Sequence, residues 1–146
     1  MARVLDHIVL NVEDVERIIA FYCEVLGLPP ERLEEFRAGK VSFPSVRIHK
    51  DTVIDLFPKS LWEQTEPKIR GRSNLNHFCL ALVKKEWDEL RQRLDQHRVS
   101  IEVGPVNRWG AHGTGISIYF TDPEGNLIEV RYYERKLPSN HCLLES

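Results

Sequence analysis

The sequence predicts an α+β fold assembled from two strand-helix-strand-strand-strand units, and three observations predict it. LDHIVLNV at residues 5–12 and LNHFCLAL at 75–82 share a Leu, a polar residue, a His and a later Leu in register, so His77 follows His7 by 70 residues. VIDLF at 53–57 and LIEVR at 127–131 repeat an apolar residue, an Ile, an acid and an apolar residue, so Glu129 follows Asp55 by 74 residues. Between these segments each half runs in the same order, from a two-residue alternation through a helical stripe to short β-like runs.

The first alternation, residues 4–12, puts Ile8, Leu10 and Val12 on one face and Leu5, His7, Val9 and Asn11 on the other, a strand pattern. EDVERIIAFYCEVLGL then spaces Val15, Ile18, Ile19, Tyr22, Val25 and Leu26 as one helical stripe and closes at Gly27 before Pro29 and Pro30. Shorter β-like pieces follow around Phe36, at 41–49, where Pro44 suggests an edge or bulge, and at 52–57. Residues 58–74 mix prolines, charges and a glycine without a period and read as a connection.

The second unit repeats the order: a strand in LNHFCLALV, a helix in KKEWDELRQRLDQH with Trp87, Leu90 and Leu94 on one face, then strands in VSIEVGPV, TGISIYFTD and NLIEVRYYE. DPEGN at 122–126 is a turn signal, because Asp and Pro start tight turns and Gly accepts positive φ, so the last two strands are expected to form a hairpin. The expected organisation is one domain over residues 1–146. Its first module covers about 3–57, a connection 58–74, its second module about 75–134, and a patternless tail 135–146.

A chain of 146 residues with 42% hydrophobic and 29% charged residues suits one globular domain. Its 20 Lys and Arg against 22 Asp and Glu form no like-charge run of five or more, which points away from nucleic acid and anionic membranes. No apolar stretch is long enough to cross a bilayer and MARVLDHIVL lacks a signal-peptide layout, so a cytoplasmic location is expected. Cys23, Cys79 and Cys142 are odd in number and widely spaced, unlike a disulfide framework or a zinc motif. Cys23 and Cys79 read as small buried hydrophobes and Cys142 carries no assigned chemistry.

The candidate chemistry lies in the repeat. His7, His77, Asp55 and Glu129 occupy matching places, each on the strand face opposite an apolar one (Ile8, Leu10 and Val12; Phe78, Leu80 and Leu82; Ile54 and Leu56; Ile128 and Val130) that should take the helices. Two imidazoles and one or two carboxylates suit a divalent metal such as Zn, Ni, Mn or Fe(II), with coordination positions left for water or substrate. Aspartate is one methylene shorter than glutamate, so a two-His, one-carboxylate set with water in place of Asp55 stands beside the four-ligand set. Arg108 and His112, in the Gly-rich stretch RWGAHGTG taken as a loop, are candidate substrate contacts. Arg47, His49 and Arg131 are candidates for an anionic substrate group.

The His-bearing first strand with AFYCEVLGL after it, the second His strand and the ending GISIYFTDPEGNLIEV resemble the vicinal oxygen chelate superfamily, the glyoxalase, bleomycin-resistance and extradiol-dioxygenase group, over roughly residues 3–133. GPVNRWGAHGTGISIYF is similar to a subgroup of short lactoylglutathione lyase-like proteins. The resemblance implies two βαβββ modules forming an incomplete mixed β-barrel around a metal, in a homodimer, with His7, His77 and Glu129 as ligands. In glyoxalase I-like members a Glu stands where this chain has Asp55, a departure from strict glyoxalase I activity.

The implied chemistry is chelation of two neighbouring oxygens of a small substrate by a Lewis-acidic metal, in a lyase or isomerase with Asp55 or Glu129 as general base. An Fe(II) extradiol dioxygenase and an antibiotic thiol transferase, with glutathione or another thiol as co-substrate, use the same three ligands. A drug-sequestering protein of the bleomycin-resistance type, which lacks the ligand set, is the reading from another class.

Overall fold

The computed structural model describes residues 5–63 and 75–135. The chain divides into two units, residues 1–74 and 75–146, each built on its own four-stranded mixed sheet. The later part of the expected connection, 64–74, and the tail from 136 onward, with Cys142, lie outside the described residues.

In the first unit, strand β1 (His7–Asn11) pairs in parallel with β4 (Thr52–Phe57), and β4 pairs antiparallel with β3 (Ser45–His49), which meets the two-residue β2 (Pro30–Glu31). Helix α1 (Val15–Ala20) starts because the Asp14 side chain accepts the Arg17 backbone N–H at 3.0 Å. It continues into a π-helical turn, Phe21–Val25, and ends by Gly27 at φ 72°. The wider turn buries Phe21 with Tyr22 and Val25, so the stripe is broader than the α-helical spacing alone gives. The buried set holds all six residues of the predicted stripe.

Two expectations change here. The segment around Phe36 is helix α2 (Leu33–Arg37), not a strand. Leu, Glu and Arg are good helix formers, and Arg37 pairs with Glu34 one turn back and with Glu16 at the start of α1, which a lone aromatic could not signal. The strand expected over 41–49 begins only after Pro44, whose carbonyl still accepts the Leu56 N–H. Within the expected connection, α3 (Lys59–Trp62) adds a short turn, and the Trp62 indole donates to the Val12 carbonyl at 3.1 Å.

In the second unit, β5 (Phe78–Ala81) pairs in parallel with β8 (Leu127–Tyr132), followed in order by β7 (Gly113–Thr121) and the edge strand β6 (Val103–Gly110). Helix α4 (Lys84–Gln96) buries Trp87, Leu90 and Leu94 as its spacing predicts. Trp87 donates its indole N–H to the Val130 carbonyl at 3.1 Å and packs edge-on against Tyr132 at 4.7 Å, which seats the helix on β8. The β7–β8 hairpin closes as expected: Asp122 Oδ1 accepts the Glu124 and Asn126 N–H groups, and Gly125 adopts φ 85°.

RWGAHGTG is not a loop but the end of β6, a tight turn at Ala111 and His112, and the start of β7. Glycines at 110, 113 and 115 masked the alternation. The predicted helix-side faces are buried at Leu10, Val12, Ile54, Leu56, Leu80, Ile128 and Val130. The cysteines depart from the small-hydrophobe reading: Cys23 is half-buried and Cys79 exposed, because Cys79 falls on the polar face of β5.

Leu90 is fully buried whereas Leu5 is 62% exposed. Leu90→Ala is expected to cost about 2–5 kcal/mol in urea unfolding at an unchanged m-value, and Leu5→Ala less than about 0.5 kcal/mol.

Candidate metal centre

Each unit holds one His and one acid. In the second, Glu129 lies in the middle of β8 opposite Cys79 of β5, and His77 stands just before β5 begins. The parallel register brings His77 Nε2 to 3.1 Å from Glu129 Oε2. The other oxygen, Oε1, accepts from Ser117 Oγ and from Arg131 Nη2, both at 2.6 Å. Burial pushes the Glu129 carboxyl up, but the hydrogen bonds from Ser117, Arg131 and Tyr119 and the guanidinium charge outweigh it, so the group sits below the usual carboxylate range. The neighbouring Cys79 thiol is pushed up to about 11 by desolvation and by the Glu129 charge. It is protonated at neutral pH.

Arg131 is itself almost fully buried, at 4% exposure. Besides Glu129 it donates to the backbone carbonyls of Trp109 at 3.1 Å and Arg108 at 3.3 Å. Its Nε has no hydrogen-bond partner among the described residues, an arrangement that costs about 1–3 kcal/mol. Sequence alternation placed Arg131 among the groups for a substrate anion; the structure engages it with Glu129 and the β6 backbone.

In the first unit, His7 opens β1 and Asp55 sits in β4 opposite Val9. His7 is exposed, and its Nδ1 meets Asp6 Oδ1 at 2.6 Å. That hydrogen bond raises the His7 pKa against a lowering by desolvation, and the Asp55 charge adds to the rise. Asp55 is half-buried and accepts from Ser45 Oγ at 2.6 Å through Oδ1. No bond from its Oδ2 to a described side chain is seen.

The two histidines share one further device. Asp6 and Asn76, at the repeat's second position, each place a side-chain oxygen on the Nδ1 of the following His, at 2.6 and 2.7 Å. A donor role for Nδ1 leaves Nε2 as the ligating nitrogen, the orientation that outer partners impose on metal-binding imidazoles.

The donor set fits a divalent ion at this point. Bonds of about 2.0–2.2 Å at adjacent coordination positions place ligand atoms about 3 Å apart, the separation of His77 Nε2 and Glu129 Oε2. With Nδ1 donating to Asn76, a lone pair on Nε2 would face an anionic oxygen, so either a proton or a cation belongs between them. Within each unit, no group of three or more His, Cys, Asp or Glu gathers among the described residues.

The remaining candidates are placed as follows. Arg47 is paired with Glu31 and donates to the carbonyls of His49 and Lys50, and His49 ends β3 half-buried. Arg108, on β6, lies 5.9 Å over the Tyr119 ring, which itself packs edge-on to His77 at 5.6 Å. His112, in the β6–β7 turn, packs edge-on to Tyr133 at 5.6 Å. Sequence reasoning missed Ser45, Ser117, Tyr119 and the two His-orienting residues. Only the last left a signal, a polar residue before His in both halves.

The glyoxalase/bleomycin resistance protein/dioxygenase superfamily model matches residues 4–130. Virulence protein STM3117 of Salmonella typhimurium is 30% identical over 130 residues, 88% of this chain and 83% of that protein. Its crystal structure superposes at a TM-score of 0.68 with 31% identity, covering 91% of this chain and 98% of that one. Glutathione transferase FosA of Serratia marcescens is 25% identical, over 89% of this chain and 81% of its own length. A probable lactoylglutathione lyase of a Synechocystis species is 25% identical, over 85% and 91%. A model match over most of the chain, two repeated βαβββ units and a relative of 30% identity agree: the chain belongs to the glyoxalase/bleomycin resistance protein/dioxygenase superfamily.

Proposed function

We propose that the chain is a metal-dependent enzyme of the lyase or isomerase kind, with His7, His77 and Glu129 holding one divalent ion and Asp55 serving as proton acceptor. The observation that carries this reading is the His77–Glu129 pair, 3.1 Å apart with its second carboxylate oxygen already occupied. A bound ion of this type acts as a Lewis acid toward two neighbouring oxygens of a small substrate.

The two carboxylates divide the work by their surroundings. Glu129 is buried and held at Oε1 by two donors, so it stays in place and offers Oε2 alone. Asp55 is half-buried with Ser45 as its one side-chain donor among the described residues, on Oδ1, so Oδ2 is the oxygen to take a proton from a carbon beside a substrate carbonyl and to return it. His7, exposed and braced by Asp6, presents Nε2. A homodimer belongs to the same reading and is supported by the family resemblance. Among the described residues no helix is long and apolar enough to cross a membrane.

A second reading, thiol transfer to an activated electrophile, is favoured by the similarity to glutathione transferase FosA and needs only the three ligands. Extradiol oxygenation uses those three as well. Sequestration without a metal is disfavoured by two histidines each oriented by an outer oxygen, which a metal-free binder has no need of.

His77→Ala and Glu129→Ala are each expected to lower metal content, read by elemental analysis after loading with Zn, Ni or Mn, at least tenfold; full occupancy in both variants would sink the site. Asp55→Asn is expected to keep the metal and lose exchange of the substrate α-proton with deuterated water, scored by NMR over a panel of 2-oxo and hemithioacetal compounds. Exchange that persists in Asp55→Asn assigns the base elsewhere, and consumption of thiol without exchange selects the transferase.

A further inference from the structure

We infer that Arg131 is the positioning residue of the candidate metal centre and that Gly110 is its socket, so the end of strand β6 dictates which Glu129 oxygen meets the ion. The inference rests on the reading of Glu129 as a ligand and adds to it a device that lies outside the ligand set.

The geometry has three parts. Arg131 Nη2 bridges Glu129 Oε1 and the Trp109 carbonyl, while Nη1 reaches the Arg108 carbonyl. One guanidinium therefore fastens the carboxylate to two successive backbone oxygens of β6, a forked contact that a lysine ammonium cannot reproduce. Ser117 closes the remaining approach to Oε1 from β7. The third part is a close approach: a Cβ at Gly110 would stand 1.9 Å from Arg131 Nη1, 2.7 Å from Cζ and 2.9 Å from the Tyr133 hydroxyl. No side chain but hydrogen fits there while the guanidinium is in place. Gly110 has no positive φ recorded, so backbone conformation does not explain the glycine; the space does.

The chemical consequence is a carboxylate that binds through one oxygen. With Oε1 tied to Arg131 and Ser117, Glu129 takes up one coordination position through Oε2 and leaves its neighbour for a substrate oxygen. Freed from Arg131, the carboxylate could rotate, so Oε2 would no longer be held toward the ion and binding would weaken by about 10–100-fold.

The test compares the full chain with Gly110→Ala, Arg131→Lys, their double variant and Glu129→Gln, each stripped of metal and titrated with Co(II), following the visible absorption bands and the Kd. Thermal unfolding is run on each apo protein. Expected are a tenfold or greater rise in Kd and shifted Co(II) bands in Gly110→Ala and in Arg131→Lys, with the double variant no worse than Arg131→Lys alone, because both changes remove one interaction. Wild-type Kd and bands in Arg131→Lys, with Glu129→Gln impaired, overturn the inference and leave the ligand reading standing. Additive losses in the double variant also overturn it. Wild-type binding in Glu129→Gln overturns the ligand reading and the inference with it. Should Gly110→Ala fail to fold, Arg131→Lys, which keeps the charge and most of the volume, decides alone by the same bands.

Discussion

A carboxylate at 3% exposure in the middle of a sheet is the constraint around which the second unit is arranged. Glu129 occupies a strand position where an apolar residue would cost nothing, and an uncompensated charge there would be severely destabilising. The compensation is local: Ser117 and Arg131 donate to one oxygen, and the other faces His77 Nε2 at 3.1 Å. Meeting that demand requires a buried arginine, which in turn needs backbone carbonyls from β6 and room at Gly110. The chain of requirements runs outward from one oxygen atom to an edge strand. The first unit carries the same pattern in lighter form: Asp55 is half-buried, takes one serine and needs no arginine. The two repeats thereby hold carboxylates of different burial and different numbers of donors, and the proposed division between ligand and base rests on that difference.

Much of this was legible in the chain. Strand alternation placed Glu129, His77, Asp55 and His7 on faces opposite the apolar residues, and the burial of Leu10, Ile54, Ile128 and Val130 agrees with it. The helical stripes of α1 and α4 and the Asp122 turn were equally plain, because each rests on local spacing that the fold has no reason to override. What stayed hidden depends on partners rather than on period. Phe36 lies in a helix held by Arg37 to Glu16, a contact across 21 residues that no window registers. Arg131 read as a candidate for a substrate anion, since alternation tells which face a side chain occupies and not what is already waiting there. The glycines of RWGAHGTG read as a loop because glycine signals freedom, whereas Gly110 serves a close approach.

The serines show the same boundary between pattern and partner. Ser45 lies 10 residues before Asp55 and Ser117 lies 12 before Glu129, so the two hydroxyls answer the same need from different register positions. Directly opposite Glu129 stands Tyr119, while Ser45 is directly opposite Asp55. The repeat preserves the chemistry of the contact more faithfully than its place in the alignment, which is why comparing the halves recovered the ligands and not their supports.

The fit between Gly110 and the Arg131 guanidinium has a consequence for how such a chain can change. Neither position is free to drift alone: a side chain at 110 evicts the arginine, and without the arginine the buried glutamate loses a charge partner. The two residues lie 21 apart in sequence yet form one heritable unit. A descendant that abandons the pair is released from both at once, and its β6 edge can then accept any residue that suits a strand.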